Sequence, residues 1–205
     1  MKLYGSPFSP YVRKVRVLLK EKNIPCEFVI EDPWPAESRI PNMNPLGKVP
    51  VLQIGPDNHL FESVLIVHYL DNLDGRPLSP KDAAGYWQSQ WWQALGNGMI
   101  DATIARVLET RRPADKQMPE KMQREEARIA RAFATAGRAY QGGQFLSGAK
   151  FSLADLVLGV AFQYIDIRYP HHWRGKHPRL KQWFDGIASR KSFEETLPPG
   201  FVKPH

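Results

Sequence analysis

Pro50 limits what this chain can fold into more than any other residue, because it stands at the doorstep of an apolar strand. The stretch Asn44-Pro45-Leu46-Gly47-Lys48-Val49-Pro50-Val51-Leu52 reads as a loop running into that strand. Proline cannot donate a ladder hydrogen bond, so Pro50 belongs at a sheet edge, a strand start or a tight turn. An X-Pro bond is also the one kind that adopts the cis form at modest cost, roughly 0.5–1 kcal/mol. A cis Val49-Pro50 bond turns the amide and carbonyl of Val49 outward, where an extended segment can pair with them as an added strand. Further on, Glu62-Ser63 precede an apolar helix, Val64 to Leu70. Helix N-termini offer free amides and a positive dipole end, which attract a carboxylate. The two features together suggest a site for a small peptide with acidic ends.

The surrounding pattern supplies a fold for that site. Met1 to Gly5 reads as a short strand, and Tyr11 to Lys22 as a helix with Val12, Val15, Leu18 and Leu19 at helical spacing. Asn23-Ile24-Pro25 ends the helix. Cys26 to Glu31 alternates as a strand does, and a proline-rich loop follows. Pro50 to Ile54 is the next strand, Gly55-Pro56-Asp57-Asn58 a hairpin turn, His59 to Phe61 the returning strand, and Glu62 to Leu73 a helix. The order βαβ–ββα is that of an α+β thioredoxin-like domain over residues 1–75. Residues 76–82, with Pro77 and Pro80, form a linker, and residues 83–205 read as an all-α helical bundle domain. One long helical stretch runs from Asp82 to Arg111, with a bend expected near Gly96 and Gly98, and a second from Pro119 to Tyr140. The stretch from Ser152 to Tyr169 is apolar around most of its circumference and belongs at a domain centre. Ser152 and Asp155 make a capping box at its start. His177 to Arg190 closes the bundle, and the tail from Leu197 to His205 reads as irregular.

Composition excludes several classes. No apolar run approaches the roughly 20 residues that span a bilayer, and Pro7 and Pro10 interrupt any signal-peptide core, so a cytoplasmic location without membrane contact is expected. The single cysteine, Cys26, rules out a disulfide framework and reads as an inert buried thiol. The net charge of +7 lies wholly beyond residue 75. Its arginines are interleaved with Glu109, Asp115, Glu120, Glu125 and Glu126, so the basic half reads as a solvated helical surface and not as a nucleic-acid contact. His171, His172 and His177 lack a recognisable ligand spacing, and no metal is expected.

Ser9-Pro10-Tyr11, Gly47-Lys48-Val49-Pro50, Glu62-Ser63 and Ser152-Leu153-Ala154-Asp155, in this order on a chain of this length, resemble the cytosolic glutathione transferase family. The Ser-Pro-aromatic pattern is similar to its serine-type members, of the tau-like and related bacterial branches. The resemblance implies a homodimer and a reaction in which glutathione, as co-substrate, attacks a small apolar electrophile, as in detoxification. It implies that Ser9 stabilises the thiolate, that Val49 pairs its backbone with the cysteinyl part, and that Pro50 holds the turn. By the same carry-over Glu62 binds the γ-glutamyl ammonium, Ser63 its carboxylate, and Lys48 the glycyl carboxylate. Ser6 is a rival to Ser9 for the thiol, whereas Tyr4 should be buried or turned away. Asp101 could reach a neighbouring subunit's site. A pocket for the electrophile is expected beside the first long helix and the central one, with Trp92, Met99, Ile100, Thr103, Arg106 and Tyr164 as candidates and Arg106 as an attractor of acidic substrates. Two other readings stay open: a non-catalytic binding module that keeps the fold, and a glutathione-dependent peroxidase or isomerase.

Overall fold

The computed structural model describes residues 1–169 and 171–201, so the end of the expected irregular tail lies outside the described residues. The chain divides into two compact units. The first holds the residues up to Pro77 together with the segment that begins at Lys191, and the second runs from Leu78 to Arg190.

The first unit is a four-stranded mixed sheet with helices packed on it, as the strand and helix order predicts. Strand β1 (Lys2–Gly5) leads through α1 (Pro10–Glu21) to β2 (Glu27–Ile30). A single-turn helix α2 (Ile40–Met43), absent from the sequence reading, precedes β3 (Val51–Gly55), β4 (Asn58–Phe61) and α3 (Ser63–Asn72). The sheet order is β2-β1-β3-β4, with β1 and β2 parallel and the other pairs antiparallel. Leu3, Val12, Val15, Leu18, Leu52, Ile66 and Leu70 are fully buried in it. Helix α1 also buries Arg13 and Lys14, which its spacing alone would assign to a solvated face.

The second unit contains α4 (Ala83–Thr110), α5 (Pro119–Ala139), α6 (Leu153–Arg168), α7 (Trp173–Lys176) and α8 (Pro178–Ala188). Helix α4 is continuous through Gly96 and Gly98. Gly96 serves close approach: a Cβ there would lie 3.0 Å from Val157 and 3.1 Å from the backbone nitrogen of Leu158. Helix α6 is the buried centre that its composition predicts, with every residue from Leu153 to Ile165 buried. Its capping box is present, and Asp155 does more than cap. The carboxylate accepts from the Ser152 amide (3.0 Å) and hydroxyl (2.8 Å), from the Leu146 amide (2.8 Å) and from the Trp183 indole (3.0 Å). A last turn, α9 (Lys191–Glu194), stands where no helix was expected and packs on α1. Among the described residues no helix is long and apolar enough to cross a membrane.

Candidate functional site

Strand register brings the motif residues to one end of the sheet. Tyr4, Val51 and Phe61 form one row across β1, β3 and β4. Three segments leave the sheet from that row: Ser6–Ser9 after β1, Gly47–Pro50 before β3, and Glu62-Ser63 after β4. Neighbouring strands lie about 4.8 Å apart, so the row spans about 10 Å, close to the length of an extended tripeptide.

Ser9 is the N-cap of α1, with Pro10 in the first turn. Its hydroxyl oxygen accepts from the Val12 amide at 3.4 Å, and its carbonyl accepts from the Arg13 amide at 3.0 Å. An accepting hydroxyl keeps its proton for a second partner. Ser9 is half-buried, at the positive end of a three-turn helix dipole. Ser6 lies nearby: its hydroxyl accepts from the Phe8 amide at 3.4 Å and its carbonyl from the Ser9 amide at 3.1 Å. Tyr4 is buried and donates its hydroxyl to Gln53 at 3.1 Å, turned away from this end as expected.

The Val49-Pro50 bond is cis, and Pro50 is buried immediately before β3. Asn44, which the sequence reading quoted without a role, holds this loop. Its side-chain amide donates to the Lys48 carbonyl (2.8 Å), its side-chain oxygen accepts from the Leu46 amide (3.0 Å), and its own carbonyl accepts from the Gly47 amide (2.9 Å). Gly47 turns at φ +61°, a conformation that favours glycine. The sequence shows there only an asparagine ahead of Pro-x-Gly, a turn signal that says nothing of its burial. The Lys48 side chain is in solvent and has no carboxylate partner among the described residues.

Glu62 caps α3 with φ +69° and ψ 119°, a backbone conformation that costs a non-glycine residue about 1–3 kcal/mol. Its carboxylate accepts from the Val64 amide at 3.4 Å and from the Ser63 hydroxyl at 3.1 Å. Ser63 is almost wholly buried, at 1% exposure. Any ligand carboxylate at this helix end must therefore meet the Ser63 amide or draw its hydroxyl from Glu62.

After β2, Arg39 clamps the proline-rich loop by donating to Glu31 from its backbone amide (3.0 Å) and twice from its guanidinium (3.2 and 2.7 Å). These bonds hold the Glu31 carboxyl below its usual range. Cys26 is half-buried rather than buried, because it precedes the strand and does not sit within it. Partial burial still pushes its thiol pKa up, which disfavours the reactive thiolate.

In the second unit, Trp92, Met99, Ile100 and Thr103 are buried, and the Thr103 hydroxyl donates to the Met99 carbonyl at 2.7 Å. Arg106 donates to Glu126 at 2.6 Å and lies over the Tyr169 ring, so its charge is already answered. Asp101 is exposed on α4. His171 and His177 stack on Phe133, and among the described residues no group of three His, Cys, Asp or Glu converges as metal ligands.

A two-part fold of this kind, with a thioredoxin-like sheet carrying an N-capped first helix and a cis-proline loop, defines a class, and comparison with known proteins identifies it. Residues 3–78 match the family model for the glutathione S-transferase N-terminal domain, and residues 119–186 the one for the C-terminal domain. The chain belongs to the glutathione S-transferase family. It is similar to a glutathione S-transferase from Methylobacillus flagellatus KT solved with GSH bound: 33% identity, TM-score 0.91, covering 96% of this chain and 98% of that one. A glutathione S-transferase from Methylobacterium radiotolerans JCM 2831, in complex with glutathione sulfonate, is 30% identical at TM-score 0.90, covering 100% and 99% of the two chains. The uncharacterized GST-like protein YibF of Escherichia coli K12 is 33% identical over 201 residues, which cover 97% of this chain and 99% of its relative.

Proposed function

We propose that the chain is a glutathione transferase, working in the cytoplasm as a homodimer, in which Ser9 stabilises the glutathione thiolate for attack on an apolar electrophile. The observation that carries this reading is the single row Tyr4–Val51–Phe61, from which all three motif segments depart. Glutathione lies along that end as an added extended segment. Val49 pairs with the cysteinyl backbone, Pro50 shapes the turn that presents it, and Lys48 meets the glycyl carboxylate. Glu62 takes the γ-glutamyl ammonium, and Ser63 with the α3 amides takes its carboxylate.

A free thiol has a pKa of about 8.5, so near neutral pH the nucleophilic form is the minority. Lowering it by two units needs roughly 2.7 kcal/mol of differential stabilisation. One hydroxyl hydrogen bond to a charged sulfur supplies about 1.5–3 kcal/mol, and the α1 dipole adds to it. The sulfur then bonds to the electrophilic carbon. In substitution the leaving group departs with the bonding electron pair, and in addition the neighbouring atom takes up a proton from water. The protein contributes anion stabilisation and proximity.

Titration calorimetry with glutathione on the wild type and on Ser63→Ala tests the reading. Saturable binding that the substitution weakens about tenfold is expected. No binding at millimolar glutathione overturns the transferase reading in favour of a non-catalytic module. Ser9→Ala should leave that affinity within about twofold but lower turnover by roughly ten- to a hundredfold, the equivalent of one charged hydrogen bond. Unchanged turnover with a standard aromatic halide as electrophile removes Ser9 from the chemistry and turns attention to Ser6.

A further inference from the structure

The connection from α6 to α8 carries His171, His172 and His177, none of which the transferase reading uses. Three rings of this connection stack on Phe133 of α5. Their centres lie 5.3 Å (His171), 5.0 Å (Trp173) and 6.2 Å (His177) from that of Phe133, and each ring is tilted from it by 15° or less. One helical turn beyond Phe133, Gly137 completes the seat, since a Cβ there would lie 2.8 Å from Nδ1 of His177. Phe133 and Trp173 are fully buried.

The seat suits neutral rings and no others. Nδ1 of His171 is buried and has no hydrogen-bond partner among the described residues. In neutral imidazole one ring nitrogen is a bare lone pair, whereas imidazolium carries an N–H on both. A buried cationic donor without an acceptor costs more than a neutral group left unmet. The surroundings give such a charge little relief. Lys176 opposes it on both His171 and His177, and His172 and His177 oppose it on His171. From α5, Glu126 acts the other way on His171, but it already accepts from Arg106 of α4 at 2.6 Å, the guanidinium that lies over the Tyr169 ring beside His171. From α6, Asp166 is taken up by the Trp173 indole at 3.0 Å and by Arg174 at 2.8 Å, and from α8, Asp185 is paired with Lys181 at 2.6 Å. Burial, foremost, pushes the pKa of both His171 and His177 below the ordinary 6.5.

We propose that residues 171–177 form an acid-released latch on α5, seated while His171 and His177 are neutral and leaving Phe133 and Gly137 when they take up protons. Asp166 keeps Trp173 and Arg174 tied to α6, so release separates the segment from α5 and leaves α6 and α8 helical. The released segment binds protons at the ordinary value of about 6.5 and the seated one more weakly. Release is therefore disfavoured above that value and grows as pH falls below it. At about one pH unit below, each histidine shifts the balance toward release by up to roughly tenfold. The latch lies wholly within the second unit and stands independently of glutathione.

The test is amide hydrogen exchange of the full chain, followed by NMR at about pH 7.5 and about pH 5.5 and expressed as protection relative to the unfolded chain, which removes the intrinsic pH dependence of exchange. The amides of Trp173 and His177 report on the segment, because they donate to the His171 and Trp173 carbonyls at 2.8 and 2.9 Å and a single turn does not hold by itself in water. Their protection should fall at least tenfold at the lower pH, while that of α3 in the first unit changes by less than about twofold. His171→Phe/His177→Phe keeps two stacking rings that cannot titrate, and its protection should stay within about twofold. His172→Gln, at an exposed position, should behave as the wild type. Melting curves establish that the variants are folded, and the single His171→Phe and His177→Phe serve if the double variant is not, each with a smaller fall than the wild type. In the wild type, the ring-proton signals of His171 and His177 should titrate below about 6.5. Unchanged protection in the wild type, an equal fall in α3, an equal fall in the His→Phe variants, or titration of both rings at or above the ordinary value overturns the latch.

Discussion

Ser9 and Glu62 show two different ways in which a residue comes to stand at a helix start. Ser9 follows from local chemistry: a serine ahead of proline and an apolar periodic run is a cap, and the Val12 amide finds its oxygen. Glu62 does not. Glutamate is a poor candidate for positive φ, and its strain is held by β4 on one side and by bonds to Val64 and Ser63 on the other. A strained residue beside a binding motif suggests that its side chain is kept for a ligand. Glu62→Gly tests this: glycine adopts the same φ freely, so loss of the cap is offset and stability should stay within about 1 kcal/mol of wild type. Glutathione affinity should fall at least tenfold in the same variant. A large loss of stability in urea would show that the carboxylate serves the fold. Asn44 marks the limit of local reading, because its three loop contacts appear only once the loop has closed around it.

At the scale of elements, periodicity located the helices of ten or more residues, and boundaries moved by a residue or two where caps decided them. Short turns such as α2, α7 and α9 were missed, since four residues carry no period. The close packing at Gly96 was not legible, because a glycine within a helix gives no local sign of whether it serves flexibility or close packing. Only the neighbouring α6 backbone answers that. The α4–α5 connection rests on one buried carboxylate. Glu109 accepts from the Met118 amide and the Lys121 ammonium, each at 2.9 Å, and Arg112 lies 3.4 Å away. The Lys121 hydrogen bond, foremost, holds its pKa below the usual glutamate value. The unfolded chain then binds the proton more readily than the folded one, so stability rises with pH across that interval. The contribution of Glu109 is complete above the unfolded value of about 4.3 and is lost as pH falls through the lower folded value. Glu109→Gln should therefore flatten the acid limb of the stability curve measured by urea denaturation from pH 3 to pH 6 (about one glutamate titration either side of its ordinary pKa). An unchanged acid limb would place the titrating carboxylate elsewhere.

At the scale of the molecule, two segments far apart in the sequence build the first unit. The segment from Lys191 returns to α1 and gives the buried Arg13 its partners: the guanidinium donates to the Phe193 carbonyl at 3.0 Å and to the Thr196 hydroxyl at 3.4 Å. Burial, foremost, and the neighbouring Arg16 charge push the Arg13 pKa down, yet the group stays protonated at neutral pH. Around it Lys20 pairs with Glu195 at 2.7 Å, Ser192 donates to Glu21, and the Phe193 ring is fully buried. Phe193→Ala should cost about 3–5 kcal/mol, seen as a lower urea midpoint and as faster amide exchange in α1. A loss below about 1 kcal/mol would mean that the segment only decorates a unit that stands without it.

By itself the sequence determined what short-range chemistry determines: the strand and helix order, the Ser9 cap, the Asp155 box, the proline at the entrance to β3. Each depends on residues within a few positions of one another, where turn, cap and period leave little freedom. Tertiary structure alone decided the rest, namely the row that gathers Ser9, Val49 and Ser63, and the burial of Arg13 beneath a segment 180 residues away. Those outcomes depend on which distant groups exclude water from one another, and burial of that kind has no period along the chain.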